Sequence, residues 1–336
     1  MRLAYKFYLG LLVGAVFLVL ALHKGDFAEM ARVFSGIRWS LIAVALVLYY
    51  TIYVARMFRW KLLIAPVKDT SYRNLYSAIA IGFGANNMFP VRLGELVRAY
   101  SLGKMEKMSA SSVLATVVIE RVFDILTVLG MLVAVFFLVT VPEGYGKFMV
   151  GLRAAGITSA AALVVLIAFL VLLEKNRERA MVILQFLSRP LPERFRTRIK
   201  SITVAFADGL NVLYHGRKLV GIVIFSIMTW MIIATFYWVI LHSFDISLPF
   251  MAAVFVTVLT AFASALPAPP GYIGTFHAAA RYGLVFYALP ATEAASVGIV
   301  MHAMNLIPAI AGGLVFIWLD KMSFAEMTHV KQEAVT

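Results

Sequence analysis

The segment Asn86–Arg98 reads Asn-Asn-Met-Phe-Pro-Val-Arg-Leu-Gly-Glu-Leu-Val-Arg, which sets Arg92, Glu95 and Arg98 just beyond two asparagines and Pro90. A second charged group, Glu120, Arg121 and Asp124, opens a long apolar run. A guanidinium holds phosphate or carboxylate oxygens in pairs through a planar fork, so Arg92, Arg98 and Arg121 suit an anionic head group. Glu120 and Asp124 are one helical turn apart and share a face, with Arg121 beside it. Inside a bilayer each such charge costs about 2.5 to 3.5 kcal/mol on insertion scales, so it persists for function or in a fully paired network. Two readings follow: a substrate or ion site, or a Glu–Arg–Asp network that anchors one segment to its neighbour. Glu95 either joins that site or neutralises Arg92 or Arg98. Asn86 and Asn87 either cap a broken helix or bond a ligand.

The second half of the chain offers fewer polar candidates: Arg281, His277, His302 and Asn305. His302 and Asn305 are three apart, on one helical face, and Pro308 follows as a predicted kink. Motifs of soluble catalysis are missing. No nucleophile elbow, His-Glu-x-x-His or Walker A stretch occurs, and Gly82-x-Gly84 lacks the third glycine and the strand of a dinucleotide loop. The chain has no cysteine, which excludes disulfides, thiolate metal sites and thiol nucleophiles. No cofactor and no metal are expected, and energy would have to come from an ion gradient, a potential or the lipid gradient itself.

The elements that position these residues belong in a membrane. The chain is 62% hydrophobic and 14% charged, with mean hydropathy +0.90, far from a soluble mixture. Nearly charge-free runs lie at Phe7–Leu22, Trp39–Ala55, Ile125–Val141, Ala154–Leu173, Leu219–Leu241 and Ala294–Leu319. Each has about the length that spans a hydrocarbon core. Phe7–Leu22 follows Arg2 and Lys6 but lacks a small-x-small cleavage site, so it reads as an uncleaved first helix. The net charge of +13 is explained by cytoplasmic loops and anionic lipid heads, and no nucleic-acid partner is expected.

Orientation follows from those loops. Arg56–Arg73 carries five Lys or Arg against Asp69, and Glu174–Lys218 carries ten against Glu174, Glu178, Glu193 and Asp208. The positive-inside rule puts both loops and the N-terminus in the cytoplasm of a multi-pass protein, in a prokaryotic plasma (inner) membrane. Within the larger loop (residues 174–218) Phe195, Ile199, Ile202, Phe206, Leu210 and Leu213 recur at helical spacing. That stripe predicts an amphipathic helix on the inner membrane surface, or a soluble connector helix packed on the protein's own loops.

Two stretches are broken rather than continuous. Tyr72–Phe89 ends on Asn86-Asn87 and Pro90, and the charge-free stretch Ile246–Ala280 is interrupted by Leu-Pro-Ala-Pro-Pro-Gly at 266–271. Prolines and a glycine end helices there. Pro90, Gly94, Pro267, Pro270, Gly271 and Gly274 are therefore the predicted breaks or hinges. Pro90-x-x-x-Gly94-Glu95 and Pro270-x-x-x-Gly274-Thr275 share one spacing. The expected fold is all-α: one membrane domain over residues 1–336, built as an inverted repeat of halves 1–150 and 151–336. Each half reads span, span, hairpin, span, giving about six full spans plus two re-entrant helical hairpins, or eight full spans if the hairpins cross. Small-residue runs such as Ala311-Gly312-Gly313 permit close packing within or between subunits, so a homo-oligomer is one possibility.

Asn-x-x-Phe-Pro-x-Arg-x-Gly-Glu-x-x-Arg, followed by Glu120-Arg121-x-x-Asp124, resembles the flippase-like family of the lysylphosphatidylglycerol synthase transmembrane domain. Leu266-Pro267 with Pro270-Gly271-x-x-Gly274 resembles that family's second motif. The resemblance implies a membrane domain that moves lipids or lipid-linked precursors between leaflets. In the synthases this domain is joined to an aminoacyl-transferase domain. Only Asp320–Thr336 follows the last apolar run here, so aminoacyl transfer by this chain alone is not expected. The leading expectation is a carrier of an anionic phospholipid or a polyprenyl-phosphate-linked lipid. The alternatives are a membrane-embedded lipid-modifying transferase using Glu120 or Asp124, and an accessory subunit or scaffold for a partner enzyme.

Overall fold

The computed structural model describes residues 27–89, 93–138, 146–190, 216–265 and 270–323, with a few positions between 192 and 203. Every regular element among these residues is helical. A short α1 (Phe27–Ser35) precedes α2 (Trp39–Ile64), then α3 (Tyr72–Met88), α4 (Gly94–Glu106), α5 (Ala110–Leu138) and α6 (Gly146–Lys175). There follow α7 (Arg177–Ser188), α8 (Gly216–Ser243), α9 (Phe250–Ala265), a 3₁₀ turn (Pro270–Tyr272), α10 (Thr275–Val285) and α11 (Ala291–Leu319). Among the described residues four stretches, in α2, α5, α8 and α11, are long and apolar enough to cross a bilayer: Trp39–Ile64, Ala110–Leu138, Lys218–Ser243 and Ala291–Leu319. Val47, Ile125, Val164, Val165, Ile224, Ile307 and Trp318 are exposed on the outside of the bundle. The charged clusters lie within it. That inside-out arrangement is the one a lipid solvent demands.

Helix ends deviate from the apolar runs where the chain stays helical through charge. Arg56 and Arg59, expected at the start of a cytoplasmic loop, sit inside α2, which continues to Ile64. The reason is packing: Trp60, Leu63 and Ile64 behind them are buried and keep the helix docked. The first apolar run, Phe7–Leu22, and the stripe Phe195–Leu213 lie outside the described residues. The described part of the 174–218 loop holds α7, whose Asn176 cap accepts from the Arg179 amide at 3.0 Å.

The two broken stretches form two helical hairpins. In the first, Gly82 on α3 faces Gly94 and Arg98 on α4. Glu106, at the far end of α4, accepts from the Ser71 amide and from Asn74, both at 2.9 Å, so entry and exit meet. In the second, Gly283 on α10 lies against Val256 and Leu259 on α9, and Phe286 packs on Phe255. The arms hold 17, 13, 16 and 11 residues. At 1.5 Å per residue the longest reaches about 25 Å, short of the roughly 30 Å hydrocarbon core.

Helices α2 and α8 run antiparallel along their full length. Arg38 donates its amide to the Ser243 carbonyl at 2.8 Å at one end, and Phe58 stacks on Phe225 near the other. Several further contacts come in matched pairs: α3 on α11 with α9 on α5, α4 on α5 with α10 on α11, and α2 on α3 with α8 on α9. A close crossing joins α3 to α11, where a Cβ on Gly84 would lie 2.8 Å from the Gly313 Cα. Only hydrogen fits there. Gly313→Val is therefore expected to force the helices apart and lower the unfolding midpoint in detergent, by about 1–3 kcal/mol of stability. Gly130→Ala, whose Cβ meets nothing within 4 Å, serves as the control, and equal midpoints for the two variants would refute the crossing.

Candidate functional site

The charges of α2, α4 and α5 converge into one buried network. Glu120 is fully buried and receives both terminal nitrogens of Arg98, at 2.9 and 2.8 Å, in a fork-to-fork pair. The Arg98 guanidinium also lies 3.7 Å above the Trp60 ring, and the Trp60 indole donates to Thr116 at 2.9 Å. Arg59, with no exposed side-chain area, reaches Glu120 at 3.1 Å and Asp124 at 2.7 Å. Asp124 also accepts from the Trp230 indole of α8 at 3.1 Å, and Ser226 takes a further Arg59 bond at 3.1 Å. Two carboxylates would be untenable here unpaired, and each is surrounded by donors.

Two further arginines close the network on its open side. Arg56 stands 3.5 Å from Glu120 and 3.4 Å from Asp124, with its guanidinium 5.2 Å from the Phe83 ring. Arg121 reaches Glu120 at 2.8 Å and Asp124 at 3.3 Å while its side chain stays 37% exposed. Arg56, Arg121, Asp124 and Glu95 line a cavity of about 590 Å³. Among the described residues four arginines stand against Glu95, Glu120 and Asp124, a surplus of one positive charge over the network as a whole. The rest of the lining is aromatic, amide, hydroxyl or aliphatic, including Tyr53, Tyr237, Asn305, Thr257, Ile125 and Phe262. Ile125 and Phe262 in this lining are themselves exposed, so the cavity is open rather than enclosed.

The hairpin tips form another part of the wall. Asn86 accepts the Gly94 amide at 2.8 Å, tying the end of α3 to the start of α4. A Cβ at Gly94 would run into the Gly82 carbonyl and Asn86 itself. Asn86 also faces Glu95 at 3.5 Å, and Asn87 donates to the Phe83 carbonyl at 2.8 Å. Gly271 of the second tip faces Asn87 of the first. That tip uses left-handed backbone at Gly271 (φ 69°), Tyr272 (φ 58°) and Gly274 (φ 91°), which suits glycine at two of the three. Its Gly271 carbonyl meets His302 Nε2 at 2.5 Å, and the Gly274 amide donates to His277 Nδ1 at 3.2 Å.

The expected residues thus divide. Asn86, Asn87, Glu95, Arg121, Asp124, Gly271, His302 and Asn305 line the cavity. Arg98 and Glu120 lie behind that wall, bound to each other. Arg281 is buried on α10 beside Tyr282, apart from the cavity lining. Pro270 opens the 3₁₀ turn, whereas Arg92, Pro90 and Pro267 lie outside the described residues. Sequence reading missed Arg56, Arg59 and Trp230. Arg56 and Arg59 are three apart, a spacing that marks one helical face, and Trp60, Leu62, Leu63 and Ile64 follow them around Lys61.

The division carries a stability test. Arg59→Met strands Glu120 and Asp124 in a dry interior and is expected to destabilise by about 3–5 kcal/mol. Arg121→Gln, on the half-open side, is expected to cost well under half of that. Unfolding midpoints of the two purified variants check the ordering, and a larger loss for Arg121→Gln would overturn it.

Sequence comparison agrees with this architecture. Residues 7–313 match the family model described as the lysylphosphatidylglycerol synthase TM region. A UPF0104 membrane protein of Methanothermobacter thermautotrophicus is 24% identical, with 93% of this chain and 92% of the relative covered. A second protein so named from the same organism is 26% identical over 69% of this chain and 71% of its own length. A protein named glycosyltransferase AglD, from Haloferax volcanii, is 24% identical over 91% of this chain, which spans only 53% of that relative. The family match covers nearly the whole bundle: the chain is a multi-pass membrane protein belonging to the family of the lysylphosphatidylglycerol synthase transmembrane region.

Proposed function

We propose that this protein carries an anionic lipid head group between the two leaflets. The observation that supports this most is the unbalanced arginine cluster at the end of a cavity that is otherwise uncharged and open at Ile125 and Phe262. One surplus positive charge matches a phosphodiester, which bears one negative charge. Arg56 and Arg121 would hold its oxygens, because they line the cavity whereas Arg59 and Arg98 lie behind its wall. The acyl or prenyl chains would stay in the bilayer, leaving past Ile125 and Phe262.

The matched packing pairs support reading the two halves as an inverted repeat, with α2 and α8 as the antiparallel central pair. The short, self-closing hairpins support a re-entrant arrangement whose tips meet near the midplane, as in carriers that rock one repeat against the other. Lys61, Lys68 and Arg73 gather at the α2–α3 end with Glu106 and Asp320. Under the positive-inside rule that end faces the cytoplasm.

A second reading has one observation behind it: the Haloferax volcanii relative is named a glycosyltransferase. On that reading the domain presents a lipid substrate to an enzymatic domain or partner, and a covalent product would be seen by mass spectrometry. Lipid movement separates the two. In proteoliposomes the native chain is expected to move fluorescent phosphatidylglycerol or polyprenyl phosphate faster than empty vesicles. Arg121→Ala and Arg56→Gln are each expected to slow it about 10- to 100-fold, the worth of a charge-assisted hydrogen bond. Inertness of the native chain toward both lipids would overturn the carrier reading.

A further inference from the structure

Building on the carrier reading, we propose that His277 and His302 form a single proton-binding site that couples lipid movement to proton movement. The two rings meet edge to face, with centroids 4.5 Å apart, at the tip of the second hairpin. Each holds one backbone group of the break. His302 Nε2 donates to the Gly271 carbonyl at 2.5 Å, and His277 Nδ1 accepts from the Gly274 amide at 3.2 Å. The tautomers follow from those partners: Nε2 of His302 carries its hydrogen, and Nδ1 of His277 carries none.

A proton arriving at His277 Nδ1 turns that acceptor into a donor pointed at the Gly274 N–H. The contact is lost, the first turn of α10 loses its tie, and the hairpin tip is released from α10. A second proton on His302 would set two cations 4.5 Å apart, so the pair takes one. Around the pair, α9 contributes Thr257 and Thr260 to the cavity wall, α3 contributes Asn87, and α8 contributes Tyr237, which reaches Phe276 and Asn305. Tyr272 belongs to the turn itself. Arg281 follows His277 by one turn of α10, and the cavity that His302 lines also carries Arg56, Arg121, Glu95 and Asp124.

His302 lines the same cavity as Arg56 and Arg121. An anion in that cavity therefore favours the protonated pair, and by reciprocity the protonated pair favours the anion. One phosphodiester and one proton cross together without net charge. The proton is taken from water on one side and returned to water on the other, so nothing is oxidised or reduced.

The test uses proteoliposomes of neutral phosphatidylcholine with trace fluorescent phosphatidylglycerol or polyprenyl phosphate and an imposed pH step of one unit. The native chain is expected to drive phosphatidylglycerol, the singly charged phosphodiester probe, to about a tenfold excess in the leaflet facing the alkaline side, independent of membrane potential. The double variant His277→Asn/His302→Gln keeps an acceptor for Gly274 and a donor for Gly271 but cannot titrate, and is expected to give an even distribution. An even distribution with the native chain, or an undiminished excess with the double variant, overturns the proton coupling alone. No movement of either probe by the native chain overturns the carrier reading and the coupling with it.

Discussion

Two carboxylates, Glu120 and Asp124, are buried one helical turn apart on a membrane helix, and the architecture is organised around neutralising them. Water cannot do so at that depth, so the protein does it with Arg56 and Arg59 from α2, Arg98 from α4 and Arg121 from their own helix. The network thereby fixes α2, α4 and α5 against one another, and Trp230 and Ser226 bring α8 into the same knot. Close geometry matters more than the number of charges. The fork-to-fork pair of Arg98 and Glu120, seated on the Trp60 ring, repays desolvation that a looser pair would not.

The network is not electrically closed, and that is what separates a site from a staple. A structural knot needs only neutrality. Among the described residues Arg56, Arg59, Arg98 and Arg121 outnumber Glu95, Glu120 and Asp124, and Arg56 and Arg121 are the arginines that face the cavity. Arg121 combines paired nitrogens with an exposed flank, so it can meet a ligand without leaving Glu120 stranded. Behind it, Arg59 and Arg98 pair the carboxylates and hold the helices together.

The two hairpins solve the backbone problem that such a cavity creates. A broken helix in lipid exposes amides and carbonyls that nothing else would satisfy. At the first tip Asn86 takes the Gly94 amide; at the second, His277 and His302 take Gly274 and Gly271. The side chains differ because the backbone differs. The first break follows a helix directly with an asparagine in reach, while the second runs through left-handed residues that turn an amide and a carbonyl toward α10 and α11. Glycine crossings such as Gly84 on Gly313 then let the hairpins approach the spans closely enough for the tips to meet.

The sequence by itself determined the solvent, the broken helices and half of the charged cluster. Apolar runs of spanning length cannot rest in water, proline and asparagine runs cannot continue a helix, and Glu120-Arg121-x-x-Asp124 announces its shared face by spacing alone. Arg56 and Arg59 were legible only as basic residues after an apolar run, which is also how a cytoplasmic loop begins. Their partners lie more than sixty residues away, and no local pattern records a contact at that range. Likewise His277 and His302 are isolated in sequence and become a pair only when α10 folds onto α11. Tertiary structure decided which charges meet because ion pairs and tip contacts depend on distance in space, whereas the hydrophobic and helix-breaking signals are properties of consecutive residues.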